Sequence, residues 1–212
     1  MPDQMGIFDV MYNCRAMRRL KTTPVEKDLL LKLIDAANRA PTGSNAQNAR
    51  WIIVQSAEQK AELAELNRKA VEAYVSPASA RPSALPHQSA DKRQRQLKAV
   101  LWQAEHLAEV PALIIACLKF DQRVDASVAS RAGGNIWPAV QNLLLAARAM
   151  GLGAAPTTLG LSDHAAFRDA MRLPENVLAC CLIPVGYPSG NFGPVARMPV
   201  EETVCWDRWQ DA

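Results

Sequence analysis

Residues 137–150 constrain the fold more than any other segment of this chain. The run is apolar around the whole helix it would form, interrupted only by Gln141, Asn142 and Arg148. It falls short of the roughly 20 apolar residues of a membrane span, so it must be buried by protein nearly all round. Gly151 supplies the left-handed residue that ends such a helix. The covering partners are apolar too: residues 112–118 and 178–185 read as buried core strands, and 51–54 as a third.

Amphipathic helices separate these strands. Thr23, Pro24 and Glu26 predict a helix start, with Thr23 as N-cap, Pro24 at the first helical position and Glu26 closing a capping box. Val25, Leu29, Leu30, Leu33, Ile34 and Ala37 then share one face. Ser56 and Gln59 predict a second helix with Leu63, Leu66 and Ala70 on its apolar side. A third is expected at about 92–109, and Ser162 is expected to cap a fourth running through Met171. Residues 125–135 read as a loop ending in Gly133 and Gly134. Helical crossovers between strands imply an α+β fold with a mixed sheet flanked by helices.

At 212 residues the chain suits a single domain over 1–212. The segment at about 67–101 has the character of a variable lid, because residues 76–91 are rich in proline and small polar residues. A net charge of +3 with dispersed basic residues gives no reason to expect nucleic acid. No signal segment or membrane span is visible. Five cysteines without metal-ligand spacing argue against a disulfide framework or a zinc site, and point to a reducing, cytoplasmic setting. Cys180 and Cys181 are adjacent in a strand and should face opposite sides. His87, His106 and His164 have no recognisable catalytic partners.

Polar chemistry concentrates in a few short segments. In Arg39-Ala40-Pro41-Thr42-Gly43-Ser44-Asn45-Ala46-Gln47, Pro41 stops the preceding helix and Gly43 offers positive φ, giving a loop of backbone amides and short polar side chains. A basic group, Arg15, Arg18, Arg19 and Lys21, precedes it. Pro156, Thr157 and Thr158 follow the apolar helix, and Arg197 lies near the C-terminus.

Together these segments resemble the flavin-dependent nitroreductase superfamily. Cys14-Arg15-Ala16-Met17-Arg18 is similar to its Arg-Arg-Ser-x-Arg element. Residues 40–47 are similar to Ala-Pro-Ser-x-x-Asn-x-Gln. The long apolar helix with its Pro156 loop, and Gly186-Tyr187-Pro188 followed by Arg197-Met198-Pro199, complete the order. The resemblance implies a homodimer with two FMN sites at its interface, each lined by both chains, and NADH or NADPH as electron donor.

It further implies which residues meet the cofactor. Arg15 and Arg197 would bind the phosphate, with Ala16 beside them. Arg18 would approach the N1 and C2-carbonyl edge, where a cation favours reduced flavin. Pro41, Thr42, Gly43, Ser44, Asn45 and Gln47 would contact the ring and ribityl chain from one subunit. Pro156, Thr157, Thr158 and Leu159 would face the ring edge, with an amide near Thr158 donating to N5. No protein nucleophile is needed, because the cofactor carries the chemistry.

The chain departs from the pattern at Cys14, Ala16 and Val195, so cations and a hydroxyl are missing from the implied phosphate site. Either FMN then binds less tightly, or the phosphate falls to Arg19 or to another residue. The activity implied is ping-pong reduction of nitroaromatic, quinone or related electrophilic small molecules. Alternatives are a reductive dehalogenase, a flavin-fragmenting enzyme, a flavin-holding protein with little turnover, or a basic module for an acidic partner. Tyr74, Trp102 and Phe192 are candidate walls of a substrate pocket.

Overall fold

The computed structural model describes residues 5–76, 89–125, 129 and 132–209. Four strands, β1 (Ala49–Val54), β2 (Ala112–Lys119), β3 (Gly153–Ala154) and β4 (Val177–Gly186), form one sheet in the order β1-β2-β4-β3. Every pairing between them is antiparallel. The parallel component of a mixed sheet is therefore not formed among the described residues. β2 and β4 are the interior strands, and the side chains of β2 from Ala112 to Leu118 are all buried because both faces of the sheet are covered.

The helices are α1 (Ile7–Asn13), α2 (Lys27–Asn38), α3 (Ala57–Val75), α4 (Ala90–Glu105), α5 (Gly133–Ala149) and α6 (His164–Ala170). On one sheet face, Leu30, Leu33 and Ala37 of α2 and Ile136, Val140 and Leu143 of α5 pack against Ile114, Ala116 and Ile183. On the other face, Leu63 of α3 and Phe167 of α6 pack against Leu113, Ile115 and Leu182. Each fully buried Leu or Ile contributes roughly 1.5–3 kcal/mol relative to exposure.

Helix ends follow local rules where tertiary contacts permit. Ser56 caps α3 by accepting from the Gln59 N–H, as predicted. After α5, the Leu152 N–H donates to the Ala147 carbonyl and the Gly151 N–H to that of Arg148, with Gly151 at φ +73°. These paired bonds are the Schellman arrangement expected for a glycine-terminated helix.

Other expectations are corrected. α2 begins after Glu26, not at Thr23, because Val25 is drawn into the core from an extended segment and its burial outweighs the local cap. Asp163, not Ser162, caps α6 by accepting from the Ala166 N–H; the Ser162 hydroxyl donates to the Leu159 carbonyl instead. α4 ends at Glu105 and a separate turn covers Leu107–Glu109. Gly133 and Gly134 are the first residues of α5 and not the end of a loop.

α5 is also not buried all round: Trp137 is 43% exposed, and Leu144 and Leu145 are half-buried. The sheet and α2 cover only one side of it. The lid expected over residues 76–91 falls largely outside the described residues.

Cys180 and Cys181 do not face opposite sides. Ala116 pairs with Cys181 but Cys117 pairs with Ala179, so Cys180 is the extra residue of a β-bulge. The bulge resets the alternation and packs both cysteines against the α2–α5 face. Among the described residues, no helix is long and apolar enough to cross a membrane.

Candidate active site

Segment 17–21 is strapped across the end of the sheet. The Met17 N–H donates to the Ala154 carbonyl, the Lys21 N–H donates to that of Tyr187, and Leu20 bridges to Pro188. Gly153 makes this approach possible: a Cβ there would stand 2.8 Å from both Leu20 Cδ2 and Met17 Cβ. Met17 and Leu20 point into the core, which turns Arg18 the other way.

Arg18 then meets the turn after β3 in a cleft of about 280 Å³, lined by Arg18, residues 156–159, Asn67 and Tyr74 of α3, and Gln103 of α4. Burial pulls the Arg18 pKa below its ordinary value, with Tyr74 acting in the opposite sense. Thr157 is fixed by reciprocal backbone bonds with Leu182 at 2.8 and 2.9 Å. Its hydroxyl also accepts from the Leu159 N–H, and the Thr158 carbonyl accepts from the Leu161 N–H. The Thr158 N–H itself has no acceptor among the described residues.

Two further groups in the cleft were not picked out from the sequence. Asn67 is 3% exposed and Gln103 is 6% exposed, yet Asn67 Oδ1 and Gln103 Nε2 have no hydrogen-bond partner among the described residues. A buried, unsatisfied polar group costs about 1–3 kcal/mol, so a protein that retains one calls for a functional explanation. The buried face of α3 is Leu63, Asn67 and Val71, one turn apart. Counting apolar residues alone passes over Asn67, and a polar residue in register with that stripe is the signal that would have found it.

The remaining predicted site residues lie elsewhere. The 42–47 loop does not line the cleft; it is exposed apart from Thr42, and docks on the first turn of α5 through the Gly43 N–H, which donates to Asn135 Oδ1 at 2.9 Å. Positive φ falls on Ser44 (51°), Asn45 (51°) and Gln47 (45°), not on Gly43. Gly43 matters for proximity instead, since a Cβ there would stand 3.2 Å from Asn135 Oδ1. The Thr42 hydroxyl accepts from the Gln47 N–H at 3.2 Å.

Pro41, Arg15, Ala16 and Arg197 are exposed, and Arg197 donates to the Ala196 carbonyl. Of the candidate aromatic walls only Tyr74 lines the cleft. Trp102 stacks on His106 with ring centroids 4.1 Å apart, and Phe192 lies under the Arg148 guanidinium.

The buried thiols offer no nucleophile, because burial pushes Cys117 and Cys181 up to about 12 and Cys180 up to about 11. No group of metal-ligating side chains occurs among the described residues. What the cleft holds is a cation, a free amide and two buried carboxamides, which suits a bound group presenting several polar atoms.

Residues 13–187 match the profile of the Nitroreductase family. The chain belongs to that family. The match spans the Arg18 strap, the 42–47 loop, the cleft and the sheet. An NADH dehydrogenase of Thermus thermophilus is 28% identical over 203 residues, covering 91% of each protein. An iodotyrosine deiodinase of Thermotoga neapolitana is 25% identical over 198 residues, covering 93% of this chain and 95% of that protein. The structure of an NADPH:FMN oxidoreductase from Vibrio harveyi complexed with NAD+ superposes with a TM-score of 0.72 at 18% identity, covering 97% of this chain and 79% of that one. Family membership makes this chain an oxidoreductase.

Proposed function

We propose that the chain is an FMN-dependent oxidoreductase that takes electrons from NADH or NADPH and passes them to nitroaromatic, quinone or related electrophilic small molecules by a ping-pong cycle. The observation that carries this reading is the convergence of Arg18, the free Thr158 N–H, Asn67 Oδ1 and Gln103 Nε2 on one cleft. Orphaned donors and an orphaned acceptor beside a cation fit the edge of a flavin, which carries both donors and acceptors. When bound, FMN supplies reversible hydride acceptance and donation. Arg18 would hold a fixed positive charge against the reduced, more negative form. The Thr158 amide would donate to the ring, and Asn67 and Gln103 would fix its orientation.

The 42–47 loop and the cleft lie on different parts of one chain, which supports a homodimer in which a second copy brings the loop to the cleft. Exposed apolar side chains support the same arrangement: Ile7, Phe8, Met11 and Tyr12 on α1, Trp137 on α5, and Trp206 in the tail at 78% exposure. A cytoplasmic setting accords with free cysteines. The likeness to an iodotyrosine deiodinase supports a second reading, reductive dehalogenation in the same cleft.

The deciding experiment is the absorption spectrum of the purified protein, followed by anaerobic titration with NADH and NADPH. A flavin spectrum bleached by either donor, with FMN released on heating, is the expected result. Recovery of FAD, or no flavin after reconstitution, would overturn the reading. Turnover of iodotyrosine but not of quinones or nitroaromatics would favour the second reading over the first.

A further inference from the structure

Position 14 holds a cysteine where the flavin-dependent pattern has an arginine, so a phosphate-binding cation has to come from elsewhere. The Cys14 thiol lies 3.6 Å from the Leu144 carbonyl, so position 14 faces the last turns of α5. Arg148 is one turn beyond Leu144 on the same helix face. Its charge reaches Cys14, partly offsetting the upward push of burial on that thiol.

Arg148 is an unusual cation. Its guanidinium carbon sits over the Phe192 ring, 4.1 Å from the ring centre. Its Nε is buried without a hydrogen-bond partner, and no carboxylate pairs with it among the described residues. A half-buried charge left in this state is costly unless an anion completes it. The neighbouring Gly193 approaches Arg15: a Cβ on that glycine would stand 3.8 Å from Arg15 Nη1. Arg15 and Arg148 therefore flank the same short segment, 192–193.

We infer that Arg148 supplies the phosphate-binding cation that the chain lacks at position 14, acting beside Arg15 on the phosphate of FMN. The inference rests on FMN being the cofactor. A planar guanidinium seated over an aromatic ring presents its N–H groups as a fork, the geometry that suits phosphate oxygens. A cation is thus moved from the N-terminal segment to the last turn of α5, where Phe192 packs against it.

The test compares FMN with riboflavin, which has the same ring and no phosphate, by fluorescence titration of the apoprotein. For the wild type, FMN should bind more tightly than riboflavin. Arg148→Met keeps the apolar stem on Phe192 and removes the charge. It should weaken FMN binding roughly 10- to 100-fold, the range of a charged hydrogen bond, and leave riboflavin unchanged. Adding Cys14→Arg to Arg148→Met should restore FMN affinity, because it returns the cation to position 14. The same ratio read with Arg148→Gln keeps the test valid if the methionine variant does not fold. An unchanged FMN-to-riboflavin ratio in the Arg148 variants, or equal loss of both flavins, would overturn the role of Arg148 while leaving the cofactor intact. A wild-type protein that binds neither flavin would overturn both.

Discussion

The Gly43 N–H donates to Asn135 Oδ1 at 2.9 Å, tying the 42–47 loop to the first turn of α5. This bond spans 92 residues of sequence and anchors a loop in which Ser44, Asn45 and Gln47 all adopt left-handed backbone. Asn135→Ala should cost about 0.5–1.5 kcal/mol of stability, the net worth of one hydrogen bond, read as a shift of the urea midpoint. Because the loop is proposed to reach a second subunit's cleft, the variant should also retain flavin less well on dilution. Stability and flavin retention both equal to wild type would show that the bond does not hold the loop.

Arg18 is proposed to act on the reduced cofactor. Arg18→Ala should lower the two-electron midpoint potential and slow anaerobic reduction by NADH or NADPH. Loss of a charge-assisted bond of about 1.5–3 kcal/mol corresponds to roughly 30–65 mV for a two-electron couple. Redox titration of the variant saturated with FMN measures it, and a wild-type potential would remove Arg18 from the ring edge.

Asn67 should show function opposing stability. Asn67→Leu replaces a buried amide whose Oδ1 has no partner with an apolar side chain of similar size. The apoprotein should become more stable by about 1–3 kcal/mol, the cost of the unsatisfied group, while flavin affinity falls. Thermal unfolding of the apoprotein together with flavin titration checks both. A destabilised apoprotein with unchanged affinity would make Asn67 a structural residue.

Burial of Cys117 and Cys181 links stability to alkaline pH. Burial pushes their folded thiols up to about 12, above the ordinary 9.0. Between those values the folded protein keeps protons that the unfolded chain loses. Stability is therefore fully present below about pH 9 and falls as pH rises from there toward 12. Urea unfolding at a series of alkaline pH values should show this decline, and Cys117→Ala should make it shallower. In native protein at pH 8, alkylation should be confined to exposed Cys205 and, more slowly, half-buried Cys14.

The helix over 137–150, the apolar strands, the Ser56 cap and the Gly151 terminus were legible in the sequence because their signals are local, whereas the caps expected at Thr23 and Ser162 gave way to tertiary contacts. An apolar run requires burial, Ser56 meets the Gln59 N–H a few residues away, and Gly151 relieves the strain of a left-handed residue. The order of motifs was legible too, and it led to the family. Tertiary structure decided what depends on distant partners. Val25 left the first turn of α2 because the core claimed it. Cys180 and Cys181 came to one face because a bulge against β2 absorbed a residue, which no alternation rule within one strand can foresee. Asn67 stands out in the sequence only as a polar residue in an apolar stripe, and it takes folding to show that its Oδ1 and Gln103 Nε2 are buried without a partner among the described residues. Arg148 reads as one polar interruption of an apolar helix until folding brings it beside Cys14 and over Phe192. Local sequence determines which backbone a segment prefers; where charge and unsatisfied polarity converge is set by packing, because burial and electrostatics depend on neighbours that the chain brings together only by folding.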